Sequence, residues 1–285
     1  MREFILDGPS PPLETGDLAY RGTFSLQELT ALNNPEVEKL IAASDVQVWM
    51  GPEKHVVFYP VRNRSEFNLV LLCPDDLPKG SRTSEGDLKE MRSNFEGWDP
   101  ALQTMISCLH RALKWKLCHH EELQRWTKVS YLIKYYAGTI ALLGDACHPT
   151  LPYQAQGAAM AVEDGAVLGQ LLTTAQSRRT LLNSATELRA MITDILSLYE
   201  TLRKERTETN VLGAIQSRDF YHLCDGSKQM ERDQILSKLP ESQWMGYCKW
   251  NWGDATYQQR ILGFDVLSDV SNEFSSSFGL GGIRH

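Results

Sequence analysis

The sequence has little cysteine for its length, and none of it is spaced for a metal or redox pair. Six cysteines (Cys73, Cys108, Cys118, Cys147, Cys224, Cys248) are spread over 285 residues without a Cys-x-x-Cys. That is too sparse for a disulfide-built scaffold and suits free thiols in a reducing compartment. Long apolar runs are also missing: none approaches the roughly 18–20 residues that span a bilayer as a helix, and Met1-Arg2-Glu3 opens no signal-peptide pattern. Nor is there a basic excess. The 29 Lys and Arg stand against 36 Asp and Glu, which argues against a face that tracks a nucleic-acid backbone. A cytoplasmic protein is expected, with no nucleic-acid partner and no membrane span. In that setting the sequon Asn63-Arg64-Ser65 carries no weight. What remains is an ordinary globular composition, 42% hydrophobic and 23% charged, long enough for about two domains.

The turn-rich segment Gly8-Pro9-Ser10-Pro11-Pro12 leads into Leu18 to Phe24, which reads as a strand. Ser25-Leu26-Gln27-Glu28 fits a capping box, with Ser at the N-cap and Glu three residues later. Three β-rich runs follow: Val46 to Met50, Val56 to Tyr59 and Phe67 to Cys73. Gly51-Pro52-Glu53-Lys54 separates the first two at hairpin distance, so an antiparallel sheet is expected. Asp99-Pro100 places an N-cap before a Pro at the first helical position and predicts a helix. Gly138 to Leu143 is a short apolar run ending in Gly144-Asp145, the pattern of a strand buried on both faces of a parallel sheet. Gln156 to Leu172 and Glu187 to about Ile215 read as helices, the second with Leu188, Met191, Ile192, Ile195 and Leu198 spaced for one face.

The segment from Gly144-Asp145-Ala146-Cys147-His148-Pro149, through Pro152, to Gln156-Gly157-Ala158 and Glu163-Asp164 carries the chemistry. A buried strand here delivers a carboxylate at its carboxyl end, where α/β sheets bind ligands. Such a carboxylate can accept hydrogen bonds from a ribose or polyol. Gln156-Gly157-Ala158 then opens a helix whose first amides have no intrahelical partner and carry partial positive charge. That end suits an anion or an electron-rich ring edge, and Gly157 lets a flat ligand approach the backbone. The same residues also suit a plain strand–loop–helix connection in which Asp145 caps a turn.

Gly144-Asp145 through Glu163-Asp164 closely resembles the second flavin-contacting motif of the class A FAD-dependent aromatic monooxygenases, the salicylate- and para-hydroxybenzoate-hydroxylase-like family. The resemblance implies that Gly144-Asp145 and Gln156 belong to the FAD site, with Asp145 on the ribityl chain. It implies that Pro152 lines the ring and that Gly157 and Ala158 offer backbone N–H groups to it. Gly51-Pro52-x-x-His55-x-x-x-Tyr59-Pro60-x-Arg62 looks like the family's sheet over the substrate pocket, and Tyr199-Glu200-x-x-Arg203-x-x-Arg206 like its following helix. Trp250-Asn251-Trp252-Gly253-Asp254 resembles the family's C-terminal Trp-plus-Asp signature in altered form. On the same resemblance Arg21 would orient substrate and stabilise a phenolate, and Tyr59 would hydrogen-bond a phenol. Each has a plainer alternative: a surface ion pair for Arg21 and a packed sheet aromatic for Tyr59.

The family's opening Gly-x-Gly-x-x-Gly is not found; the one Gly cluster, Phe278-Gly279-Leu280-Gly281-Gly282, has neither strand before it nor helix after. The chain therefore reads as starting beyond the family's first βαβ unit. The fold expected is α/β: an antiparallel substrate-domain sheet (1–117), a partial FAD-binding, Rossmann-like layer (118–175), a C-terminal helical region (176–270) and a flexible tail (271–285). The layer's missing strands predict an exposed apolar patch around Ile140–Leu143 and the helix after Gln156, open to an oligomer contact or a partner. The function implied is FAD-dependent hydroxylation of an aromatic or polyketide-like small molecule with NAD(P)H and O2. The alternatives are a non-redox pocket protein, of binding or cyclase type, and an inactive fragment. No metal is expected, because Cys108-x-His110 and Cys118-His119-His120-Glu121 match no common zinc spacing. Cys147 reads as a small packed residue, His148 as a loop hydrogen-bonder, and Arg203-Lys204-Glu205-Arg206 as a solvated helix face.

Overall fold

The computed structural model describes residues 1–43, 45–128, 140–179, 184–238 and 248–277. In chain order its elements are α1 (Arg2–Leu6), β1 (Leu13–Ser25), α2 (Leu26–Thr30), α3 (Pro35–Ala42), β2 (Gln47–Gly51), β3 (Lys54–Val61), β4 (Glu66–Pro74) and β5 (Thr83–Glu85). Then come α4 (Leu88–Asn94), α5 (Pro100–Ser107), β6 (Leu113–His119), β7 (Thr127–Lys128), β8 (Ile140–Ala141), α6 (Gly157–Arg178), α7 (Ala185–Tyr221), α8 (Ser227–Leu236), α9 (Ala255–Leu262) and α10 (Val266–Ser277). The chain divides into two compact units. One holds Glu14–Cys118 with Arg218–Lys238; the other holds Met1–Leu13, His119–Ser217 and Leu239–His285.

The first, a sheet unit, is a six-stranded sheet in the order β2-β3-β4-β1-β6-β5. The expected antiparallel hairpins are present: β2 pairs β3, β3 pairs β4, and β4 pairs β1, all antiparallel. Register sorts the side chains. Tyr20, Leu71 and Val56 are aligned across three strands, and these fully buried residues face a core closed by Leu29, Val37, Met91, Leu102 and Met105 from α2 to α5. The short helices start where side chains cap them. Ser25 and Glu28 form the reciprocal box, and Asp99 accepts from the amides of Ala101 and Leu102 ahead of Pro100.

The second, a helical unit, packs α1, α6, the body of α7 and α10 with the β7–β8 ribbon around Ile5, Trp126, Leu142, Val167, Leu171, Ile195, Tyr199 and Val270. Ile5 is why the first residues belong here and not with the sheet, where a 1–117 boundary would put them. Two further expectations change. Ile140–Ala141 pairs antiparallel with Thr127–Lys128 in a two-stranded ribbon, so no parallel layer exists among the described residues. Gly138 and Thr139 of that run lie outside the described residues. Ser271 to Ser277, expected as mobile tail, continue α10, whose start is held by Asp265 accepting from the Leu267 and Ser268 amides; the Gly cluster of 278–282 lies outside the described residues. Of the expected apolar patch, Ile140 and Ala141 are half-buried and Leu142 is buried, while Leu143 (46% exposed) and Val162 (73%) are exposed. No helix among the described residues is long and apolar enough to cross a membrane.

Candidate functional site

The helical unit builds its site at the end of the apolar run. The Leu142 amide donates to the Trp126 carbonyl at 2.9 Å, and the Tyr199 hydroxyl donates to the Leu142 carbonyl at 3.0 Å, which pins the strand end. The chain then enters a 3-10 turn, Gly144–Ala146. Gly144 has φ +58°, and a Cβ on it would lie 3.2 Å from the Cβ of Ala161 on α6. Both the backbone sign and the close approach require glycine there.

Beneath this turn sits a buried ionic cluster. Asp164, fully buried on α6, accepts from the Gly144 amide (2.8 Å) and from His148 Nε2 (2.6 Å) on Oδ2, and from Arg203 Nε (2.8 Å) on Oδ1. Arg203, also fully buried, reaches Glu163 at 2.6 Å, and Arg206 grips both oxygens of Glu163 at 2.7 and 2.6 Å. Burial pushes the Asp164 carboxyl up, but the hydrogen bonds from His148, Arg203 and Gly144 outweigh it and hold it below the usual range. Glu163 is likewise held low, its burial outweighed by Arg206 and Arg203. Arg203 therefore corrects the expectation of a solvated face: the Arg-x-x-Arg spacing puts both guanidinium groups on the side of α7 that meets the adjacent acids of α6. That pairing of Glu163-Asp164 with Arg203-x-x-Arg206 was the signal available in the sequence. His148 meets a carboxylate, so its Nε2 carries the hydrogen.

Cys147 is buried, its Sγ 3.3 Å from the Gly144 carbonyl, and burial raises its thiol to about 12. Cys147, His148 and Asp164 bring ligand-type atoms within 4.8 Å of one another. The Asp164 carboxylate there already accepts from Arg203, His148 and the Gly144 amide.

On top of the turn, Asp145 is exposed, and its carboxylate has no side-chain hydrogen bond among the described residues. Pro152 opens a second 3-10 turn, Pro152–Gln154, which Ala155 ends at φ 55°. Gln156 is the N-cap of α6 but its side chain accepts no capping hydrogen bond, and the first turn of the helix holds no acidic residue. Among the described residues, the first amides, of Gly157 and Ala158, thus have no intrahelical or side-chain partner. Gly157 keeps this end flat: a Cβ there would lie 3.2 Å from Thr150 Cγ2. A free carboxylate on a turn resting on α6, and an open positive helix end, together can take hydroxyl groups and an electron-rich edge.

Arg21 and Tyr59 belong to the sheet unit. Arg21 is aligned with Val70 and Val57, and Tyr59 with Asn68 and Thr23, so the two share the face opposite the core. Arg21 is exposed, its guanidinium 5.7 Å from the Trp115 ring centroid. Half-buried Tyr59 accepts from Asn68 Nδ2 at 2.5 Å, which leaves its O–H to donate. Among the described residues Arg21 has no ion pair, while Tyr59 is held by its cross-strand neighbour as a packed sheet aromatic would be. A pair that sequence reasoning did not isolate lies in the same unit: buried His55 Nδ1 is 2.7 Å from His222 Nε2, with Tyr221 stacked on His55 at 4.7 Å.

A family profile described as "FAD binding domain" matches residues 19–196. The chain is 38% identical over 257 residues to the FAD-dependent monooxygenase OpS4 of Beauveria bassiana, covering 90% of this chain and 55% of that protein. It is 28% identical over 239 residues to 3-hydroxybenzoate 6-hydroxylase of Polaromonas naphthalenivorans, covering 84% and 52%. In fold it is similar to a salicylate hydroxylase substrate complex, with a TM-score of 0.64 at 21% identity over 91% of this chain and 57% of that one. The chain spans about half the length of the curated relatives it matches.

Proposed function

The chain belongs to the FAD-dependent aromatic monooxygenase family, whose FAD-binding profile covers most of it, and from that membership we propose that it is the substrate-and-flavin part of a hydroxylase acting on an aromatic or polyketide-like small molecule. The observation that carries this reading is the open N-terminus of α6 beside an unengaged Asp145. A helix of 22 residues that begins with no side-chain cap and no acid leaves its positive end to a ligand. FAD fits that donor set. Asp145 would accept from ribityl hydroxyls, Pro152 would flank the ring, and the Gly157 and Ala158 amides would face its electron-rich edge. FAD held there would supply the redox and oxygen-transfer chemistry of such a hydroxylase, with NAD(P)H and O2 as co-substrates.

The chain's own residues supply placement and charge. The amides of α6 stabilise negative charge at the edge they face without any reorganisation. Arg21, exposed on the face opposite the core, would favour the phenolate form of a substrate, and Tyr59 would donate to its oxygen. On this reading the sheet unit receives substrate and the segment of residues 144–158 receives flavin. A cytoplasmic setting, and a second copy or partner over Leu143 and Val162, belong to the same proposal, the latter testable by sedimentation.

Titration of the purified chain with FAD, followed by visible absorption, tests the reading. A stoichiometric flavin complex, and NAD(P)H consumption with an aromatic acid, are the expected results. A colourless protein that ignores FAD would turn the assignment to the non-redox pocket reading and reduce Asp145 to a turn residue.

A further inference from the structure

We propose that Tyr257 is a positioning residue that latches the turn Pro152–Gln154 to α7; that this turn faces FAD rests on the function proposed above. The Tyr257 hydroxyl accepts from Gln154 Nε2 at 2.7 Å, across 103 residues of sequence. The two meet in a notch. A Cβ on Gly213 of α7 would stand 1.8 Å from Tyr257 Oη and 2.6 Å from Gln154 Nε2, so phenol and amide occupy the place a side chain would fill. The approach is to the end of a rigid ring on one side, and no small shift relieves it.

Tyr257 is itself fixed at its backbone. Asp254, the N-cap of α9, accepts from the Tyr257 amide at 2.7 Å and from the Cys248 amide at 3.1 Å. Asn251 Nδ2 donates to Gln216 on α7 at 2.5 Å, and Gln258 donates to the Asn251 carbonyl at 3.0 Å. Residues 250–254 thereby seat α9 on α7 so that one phenol reaches the turn ahead of α6. Gln154 is the last residue of that turn before Ala155 bends into α6, so its hold on Tyr257 sets where Pro152 and the Gly157 amide stand. Tyr257 touches neither flavin nor substrate on this account; it acts through Gln154.

The test compares the wild-type chain with Tyr257→Phe, Gln154→Leu and the double variant, reading FAD affinity and the shape of the bound-flavin absorption bands. Loss of one such hydrogen bond is expected to weaken FAD about fivefold in each single variant, with the same band change in both and no further loss in the double, since both remove one link. Wild-type affinity and band shape in Tyr257→Phe, or losses that multiply in the double, would overturn the latch. Amide exchange over 153–160 in the flavin-free chain keeps the two readings apart. If the wild type takes up no FAD, the proposed function fails, and the latch stands only if Tyr257→Phe exchanges faster there. Gly213→Ala gives an independent sign: alanine ordinarily stabilises a helix interior relative to glycine, whereas here a lower Tm is expected, and a raised Tm would count against the notch.

Discussion

Arg203 holds more of the site together than any residue that faces the ligand. Its guanidinium sits fully buried between Asp164 and Glu163, and the same Asp164 holds the Gly144 amide under the turn that carries Asp145. Removing one partner of such a pair strands a buried charge. Arg203→Leu is therefore expected to cost about 3–5 kcal/mol in urea unfolding, against less than about 0.5 for Lys204→Ala on the more open side of the helix. Because Asp164 and Glu163 are held below their ordinary values, their contribution is present above about pH 4 and is lost as pH falls through those lowered values. Asp145 is the opposite case. With no side-chain partner among the described residues, Asp145→Ala is expected to leave unfolding unchanged while weakening FAD about tenfold or more; equal FAD affinity would remove Asp145 from the site.

At the scale of elements, the junction of β3 with the end of α7 is where the sheet unit is expected to lose stability in mild acid. Burial drives His222 down to about 4, against the pull of Asp17, and burial with the neighbouring His222 drives His55 well below its ordinary value. Arg218, which donates to Asp17 at 2.8 Å, adds positive charge beside them. The unfolded chain takes up protons below about pH 6.5 that the folded pair refuses. Stability should accordingly fall as pH drops from about 6.5 to about 4, read as denaturant midpoints across that range. With His55 and His222 both replaced by Gln, this part of the slope should vanish; an unchanged slope would assign it elsewhere.

For the whole molecule, the two units have separate cores, one around Tyr20, Leu71 and Met105 and one around Trp126, Val167 and Tyr199. The proposed flavin residues all lie in the second. Binding to the folded state alone stabilises by mass action, so FAD at about a hundredfold over its Kd should add about 2.7 kcal/mol, visible as a rise in Tm. A melting temperature indifferent to FAD would argue against a flavin site in this chain, in agreement with a colourless protein.

Much of this was legible in the residues themselves. The capping box at Ser25, the Asp99-Pro100 start and the hairpin strands follow from local chemistry that neighbours in sequence settle, and they are where local rules put them. The motif of residues 144–164 likewise shows a turn followed by a helix start, through its glycines, though a plain strand–loop–helix connection has the same local pattern. Long-range pairing is another matter. Whether Ile140–Ala141 lies in a parallel layer or an antiparallel ribbon depends on which strand it meets, and its apolar pattern is the same in both. Arg203 reads as surface on its own helix and becomes core only because α6 brings two acids to it. His55 and His222, 167 residues apart, and Tyr257 with Gln154 and Gly213, carry no local signal of their pairing. The sequence by itself determined the capped helix starts, the hairpin strands and the family; tertiary structure alone decided which strand Ile140–Ala141 meets, which charges are buried and which hydroxyl meets which amide, since desolvation and contact depend on what folds against each residue.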